Sequence, residues 1–411
     1  MNPADRPLRV FIVAAEPSGD MVGAELIRAL RASGANVEIA GVGREAMAAE
    51  GVTTDIDLSA LSVLGLFDGL RVWRLVHERA EACARAAAEF EADQVVLIDS
   101  WGFMLRVAWK AREACPGARI VKYIGPQAFA TRPGRAKVLA RAVDNLLAIH
   151  PFDPDYFEPC GLPTIVVGNP ALERDLTGDG AGFRSRHGIA PDARVMLVLF
   201  GSRKSEVERL FDDFAGTAEA LAKDRPDLRL VTVVAPSVAE VVHSRLASRD
   251  ALSGMVIVGP EERLDAFAAA DVALACSGTV TLELSRMGVP SVVGYRLGPV
   301  AWTIAWNFML KAPYVSLVNI AAGRELLPER LQTRAVPEHL VPDMAKLLDD
   351  ATHRRAISAA LVETTKLMAG QGEGASVNAA RASGQQPEQH RDNRQQIIAN
   401  AQCPGKTVDE G

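Results

Sequence analysis

The sequence predicts an α/β protein of two doubly wound parallel-sheet domains. Short β-branched runs alternate with Ala-rich helical stretches over most of the chain, the pattern of strands joined by crossover helices. The alternation breaks at Leu176-Thr177-Gly178-Asp179-Gly180-Ala181-Gly182 and then starts again, which puts a hinge near residues 170–182. A chain of 411 residues has room for two such domains at roughly 100–200 residues each.

Residues 8–14 (Leu-Arg-Val-Phe-Ile-Val-Ala) read as a buried strand and 21–32 as a helix. Strands follow at 37–42, 94–99, 119–124, 144–149 and 164–167, with a helix running through Ala114 after the third. The second half repeats the pattern with strands at 195–200, 228–235, 255–258, 272–276 and 291–295. Strands covered on both faces read as nearly continuous apolar runs, and these do. Beyond Gly370 the character changes. Gly370-Gln371-Gly372-Glu373-Gly374 breaks the helix, and residues 384–411 are rich in Gln, Asn, Gly and charge. Too few large apolar residues remain there to offset the entropy of ordering, so 371–411 is expected to be mostly a disordered tail.

Apolar residues make up 48% and charged residues 23%, an ordinary globular balance. No apolar run reaches the roughly 18 residues a spanning helix needs. Neither a signal nor a transit peptide is visible at the start. The five cysteines are scattered without metal spacing, so a reducing, cytoplasmic setting without a structural zinc or disulfide framework is expected. The net charge of −6 hides a basic island: residues 101–142 hold nine basic side chains against one acid, Glu113. Such an island fits a solvated helix face or an anionic partner.

Several strand ends carry chemistry. Glu16-Pro17-Ser18-Gly19-Asp20 follows the first strand, where Gly19 would allow a tight turn and Ser18 or Asp20 could cap the next helix. Asp99 ends the apolar run 95–98, so its carboxylate belongs at the carboxyl edge of the sheet, where a base for a sugar hydroxyl has to lie. In the second half Gly201-Ser202-Arg203 leaves a strand and opens a helix, Arg203 offering a planar fork for phosphate. Ser277-Gly278-Thr279 opens another, leaving backbone N–H groups free for a pyrophosphate, with Glu283 one turn in and within reach of a ribose. Two such loops in one half favour nucleotide binding, and the absence of G-x-x-x-x-G-K-[ST] disfavours P-loop phosphoryl transfer. Residues 61–73, including Leu64, Leu66 and Phe67, and residues 301–310 are apolar stretches beside basic residues. They fit either core packing or an interfacial membrane contact.

From about Val10 to Gln332, and more weakly to about Met368, the sequence resembles the lipid-A-disaccharide synthase family. The landmarks are Ala14-Ala15-Glu16-Pro17-Ser18-Gly19-Asp20, Leu61-Ser62-Val63-Leu64-Gly65, Ile98-Asp99-Ser100, Arg132-Pro133-Gly134-Arg135, residues 201–207, residues 277–283 and residues 314–326. Their order and number make the resemblance specific. It implies two Rossmann-like domains facing a cleft, the GT-B architecture. It also implies an inverting, metal-independent glycosyltransferase that needs no cofactor. The reaction would move a 2,3-diacylglucosamine from UDP to 2,3-diacylglucosamine 1-phosphate, giving a β-1,6 disaccharide and UDP. Residues 1–175 would face acceptor and membrane, 176–335 would bind the donor, 336–370 would be helices packing back across the lobes, and 371–411 the tail.

The resemblance also implies roles. Asp99 would be the base, with Glu16 beside it. Gly201, Ser202, Arg203, Glu283 and Asn319 would hold UDP, with Ser277, Gly278 and Thr279 at the phosphates and Gln332 closing the pocket. Ser18, Gly19, Asp20, Leu64, Leu66, Phe67, Arg132 and Arg135 would meet the acceptor or the membrane. Partners would be the two lipid substrates and the anionic inner face of the cytoplasmic membrane, with no nucleic acid; a homodimer stays open. The sequence departs from the family where Trp101-Gly102-Phe103 replaces Pro-Asp-Phe, Lys122 replaces His, Phe129 and Thr131 each replace Trp, Asn169 replaces His and Phe200 replaces Pro. Alternatives are a relative with another acceptor, a UDP-sugar epimerase of the same architecture, and a UDP-sugar binder that no longer transfers.

Overall fold

A computed structural model of the chain describes residues 6–58, 69–128, 134–276, 278–298, 314–370 and 372–384. The chain forms two compact units, Met1–Glu173 with the segment from Met368 onward, and Arg174–Leu367. In the first, β1 (Leu8–Ala14), β2 (Val37–Val42), β3 (Gln94–Ile98), β4 (Arg119–Tyr123), β5 (Asn145–Ala148) and β6 (Thr164–Val166) form one parallel sheet. Its order is β2-β1-β3-β4-β5-β6. Helices α1 (Pro17–Ala32), α2 (Glu45–Ala49), α3 (Gly69–Glu89), α4 (Trp101–Ala114), α5 (Gly134–Ala142) and α6 (Pro154–Phe157) connect the strands.

The period of two along each strand sorts its side chains into two cores. Val10, Ile12 and Ala14 of β1 pack with Leu26, Ile27 and Leu30 of α1 on one face. Phe11 and Val13 pack on the other, with Cys83 and Ala84 of α3 and Val107 and Ala108 of α4. Every residue of β3 is buried, which explains why that run has no polar side. Each fully buried Val, Leu or Ile stabilises by roughly 1.5–3 kcal/mol.

The second unit repeats the plan. Strands β7 (Val195–Leu199), β8 (Arg229–Val233), β9 (Val256–Val258), β10 (Val272–Cys276), β11 (Ser291–Tyr295) and β12 (Glu329–Leu331) lie in the order β12-β11-β10-β7-β8-β9, all parallel. Its helices are α7 (Gly180–Arg186), α8 (Lys204–Asp224), α9 (Ala239–Ala247), α10 (Arg263–Ala269), α11 (Thr279–Arg286), α12 (Leu317–Ala322), α13 (Pro337–Asp349) and most of α14 (Ala351–Ala369). Met196 and Val198 pack against Leu210 and Phe214 of α8 and Leu340 and Met344 of α13. Val195 and Leu197 pack against Phe183 of α7 and Phe267 of α10.

The chain then returns to the first unit. Asn169 N donates to Met368 O at 3.0 Å, and the two backbones run so close that a Cβ on Gly168 would sit 2.0 Å from the Ala369 carbonyl oxygen. Helix α15 (Ala375–Gly384) follows and lies on α1, burying Ala375, Ala379, Ala380 and Ala382. Residues 375–384 were expected in the disordered tail. They are ordered because an alanine face can dock closely on a neighbouring helix although it carries little apolar area. Residues 385–411 lie outside the described residues. Helix α1 also starts four residues earlier than expected, with Pro17 at its first position, where a missing N–H costs nothing.

Candidate active site

In the first sheet, β1 leads to β2 on one side while β3 leads to β4 on the other. The strand order therefore reverses between β1 and β3, and ligands of open α/β sheets bind outside the strand ends at such a point. Glu16 leaves β1 there and Asp99 leaves β3, two and one residues after the paired Ala14 and Ile98. Glu16 is exposed; Asp99 is half-buried. Asp99 (φ 51°) and Ser100 (φ 42°) are successive non-glycine residues in the left-handed region. Each such residue costs on the order of 1–3 kcal/mol and persists only where its surroundings hold it.

The hold comes from β4. Asp99 N donates to Tyr123 O at 3.0 Å. Lys122 Nζ donates to Asp99 O at 2.6 Å, Tyr123 O at 3.1 Å and Leu97 O at 3.3 Å. Lys122 is only 2% exposed. Burial pushes its ammonium down to about 7, against the opposing pull of the Asp99 and Glu16 carboxylates. At the neighbouring strand end, Asp153 is buried and accepts from His150 N, and desolvation lifts its carboxyl to about 7.

Other expected residues of this unit fare differently. Ser18 is exposed in the first turn of α1. Gly19 lies inside that helix, and a Cβ there would make only ordinary contact, 3.6 Å from Ile98, so it is no turn glycine. Asp20 is engaged by the protein itself. It is 3% exposed, and its carboxylate accepts from Arg44 N (2.6 Å), Ala46 N (2.7 Å) and Met47 N (3.3 Å). It caps the start of α2, where unpaired N–H groups favour an anion. Arg135 lies over the Trp101 ring at 5.2 Å. Asn169 caps the turn at Ala171 N (3.0 Å). Leu64, Leu66, Phe67, Phe129, Thr131 and Arg132 lie outside the described residues.

The second sheet reverses its order between β7 and β10, and the two loops of interest leave those strands. Gly201 has φ 113°, and a Cβ on it would lie 2.8 Å from Glu206 Cβ, so the position requires glycine. Glu206 reaches back from the first turn of α8 to accept from Ser202 N (3.1 Å) and Arg203 N (3.2 Å), and it pairs with Arg203 at 2.9 Å. The Arg203 side chain is 79% exposed, so its fork is held at the base yet open to a ligand. Gly278 and Thr279 are exposed at the start of α11, whose first N–H groups have no acceptor within the helix. Ser277 lies outside the described residues. Glu283 is ion-paired with Arg263, which lies 5.6 Å over the Phe267 ring.

Two residues expected on UDP are used by the protein itself. Asn319 is fully buried; its Oδ1 accepts from Leu326 N (2.8 Å) and Leu327 N (2.9 Å), while Nδ2 donates to Leu327 O (2.7 Å) and Glu329 (2.9 Å). All four of its hydrogen-bonding positions are filled within the protein, so it shapes the loop after α12. Gln332, at φ 53°, grips Leu297 through N (2.7 Å) and O (3.3 Å). It pins the exit of β11.

Sequence reasoning gave Glu206 and Arg263 no role of their own and noted Lys122 only as a departure from the family. Glu206 had a signal, since a Glu at the third helical position commonly reaches back to the helix start. Lys122 had a fainter one, a lone cation inside the apolar run Ile120 to Tyr123. Among the described residues no three His, Cys, Asp or Glu side chains group to hold a metal, and no helix is long and apolar enough to cross a membrane.

Two doubly wound units, each with its polar loops at the point where strand order reverses, define the GT-B class of two-domain proteins. A glycosyltransferase from Rickettsia africae is similar in structure (TM-score 0.56, 12% identity, 96% of this chain and 100% of that one). So is a UDP-GlcNAc 2-epimerase from Neisseria meningitidis bound to UDP-GlcNAc (TM-score 0.55, 13% identity, 88% of this chain and 98% of that one). At such identities these show the fold alone. Within the class, residues 10–382 match the model of the lipid-A-disaccharide synthetase family. The lipid-A-disaccharide synthase of Rhodospirillum centenum is 41% identical over 90% of this chain and 92% of its own. The chain belongs to the lipid-A-disaccharide synthase family and is a glycosyltransferase.

Proposed function

We propose that the protein transfers a 2,3-diacylglucosamine from UDP to the 6-hydroxyl of 2,3-diacylglucosamine 1-phosphate, with Asp99 as base. The observation that carries the reading is the family match over residues 10–382, which spans both units. The Asp99 carboxylate takes the proton of the acceptor hydroxyl. The hydroxyl oxygen attacks the anomeric carbon as the bond to the β-phosphate oxygen breaks, the electron pair leaves on UDP, and one displacement inverts the centre. Arg203 and the N–H groups at the start of α11 stabilise the departing diphosphate charge. Glu283, oriented by Arg263, is placed for the ribose hydroxyls. Glu16 supports Asp99, while Asn319 and Gln332 act through the loops they hold.

Both lipid substrates reside in a bilayer, and extracting an acyl chain costs about 0.8 kcal/mol per CH₂. Peripheral attachment to the anionic inner face of the cytoplasmic membrane avoids most of this. Trp73, 54% exposed, and Arg74, with 76% of its side chain exposed, stand beside the apolar stretch 61–72 and support such a contact. The test follows UDP release with UDP-diacylglucosamine, with and without diacylglucosamine 1-phosphate. Release that needs the acceptor supports transfer; release without it, or none, would replace the reading by hydrolysis, epimerisation or binding alone.

A further inference from the structure

We infer that Lys122 is a positioning residue for the base, its ammonium fixing the turn on which Asp99 sits. This rests on the assignment of Asp99 as base. Lys122 lies in β4 opposite Leu97 of β3, and its Nζ donates to the carbonyls of Leu97, Asp99 and Tyr123 at 3.3, 2.6 and 3.1 Å. Three acceptors need three N–H donors. An ammonium has three and a neutral amine two, so the geometry is that of protonated lysine. The charged groups acting on it are the carboxylates of Asp99, at the end of β3, and Glu16, after β1.

A buried cation is a costly way to fill space, and an apolar side chain of similar length would fill it without the desolvation. What the cation adds is specific to this place. The shortest of its three bonds goes to the carbonyl of Asp99, the first of two successive left-handed residues. That bond ties the strained turn to β4, so the carboxylate starts from a fixed backbone. Loss of the proton removes one donor and the positive charge together, and the turn loses its tether.

Burial holds the lysine near 7, below the usual value of about 10.4. Activity and stability should therefore move in opposite directions. Above the folded pKa the unfolded chain binds more protons than the folded one, so this group makes the fold more stable as pH rises from about 7 toward about 10. A lysine that served only the fold would lower turnover nowhere in that range. A positioning lysine lowers kcat as it deprotonates.

The experiment measures kcat and KM against pH for the full chain, for Lys122→Met and for Asp99→Asn, with UDP affinity and Tm as controls. Lysine ¹³Cε NMR of the unsubstituted protein follows the amine directly. We expect an alkaline fall in kcat whose midpoint matches one lysine titrating far below the others. Lys122→Met should keep parental UDP affinity, lose about tenfold to a hundredfold in kcat, as a base displaced by near 1 Å would, and lack the alkaline fall. Loss of activity in Asp99→Asn beside a parental rate and pH profile in Lys122→Met would overturn the inference and leave the base assignment standing. A parental rate in Asp99→Asn would remove the base assignment itself. Should Lys122→Met fail to fold, the NMR decides: lysines that all titrate near 10 while kcat still falls near neutrality would overturn the inference.

Discussion

Asp20 and Asn319 show how a polar residue's job depends on partners that its neighbours in sequence do not reveal. The groups that saturate Asp20 come 24 to 27 residues later, at Arg44, Ala46 and Met47. Nothing near Asp20 announces them, so a carboxylate in the first turn of one helix that caps another reads the same as one that meets a substrate. The strand-end position of Asp99 was legible because the run 95–98 before it is uniformly apolar. Replacing Arg203 by Ala should weaken UDP binding by about 1.5–3 kcal/mol, the range for a hydrogen bond to a charged group; unchanged affinity by calorimetry would move the donor site elsewhere. Asp99→Asn should leave UDP affinity intact and lower turnover by about a hundredfold or more. A parental rate would make Asp99 a structural residue and Glu16 the candidate base.

At the scale of elements, the central strands announced themselves because both of their faces are buried, the outer strands β6 and β9 because they are short β-branched runs, and only the ends shift by a residue or two. Strand β12 was missed: Glu329-Arg330-Leu331 is three half-buried residues with two charges, and its pairing with β11 depends on tertiary context. Helix α15 was missed for a related reason. Its buried residues are mostly alanines, too small to register as an apolar stripe, yet small enough to let α15 approach α1 closely. The same closeness makes the site intolerant of bulk. Ala379→Leu adds side-chain volume where the residue has no exposed surface and should cost about 1–3 kcal/mol by overpacking, read as a lower Tm with unchanged UDP affinity. A Tm equal to the parent's would mean that α15 does not contribute to the fold in solution.

For the whole molecule, the two sheets share one plan. Each reverses its strand order once, and each brings its polar loops to that reversal, so the proposed base and the proposed donor loops arise from the same topological device used twice. That plan was readable from the repeated alternation of strands and helices, whereas the pairing order was not, since βαβ units of similar composition can be added on either side of a sheet. Attachment to anionic vesicles should weaken with salt, because exposed charges are screened over about 8 Å at physiological ionic strength, and Trp73→Ala should reduce it while sparing UDP affinity. Equal sedimentation of parent and variant would remove Trp73 from the contact. The central claim is a single inverting transfer between two acylated glucosamines, and the product tests it most directly. NMR of the lipid made from UDP-diacylglucosamine and diacylglucosamine 1-phosphate should show a β-1,6-linked disaccharide 1-phosphate formed in step with UDP, and that product should vanish with Asp99→Asn. An α-linked disaccharide, a free diacylglucosamine or a 2-epimer would contradict the account.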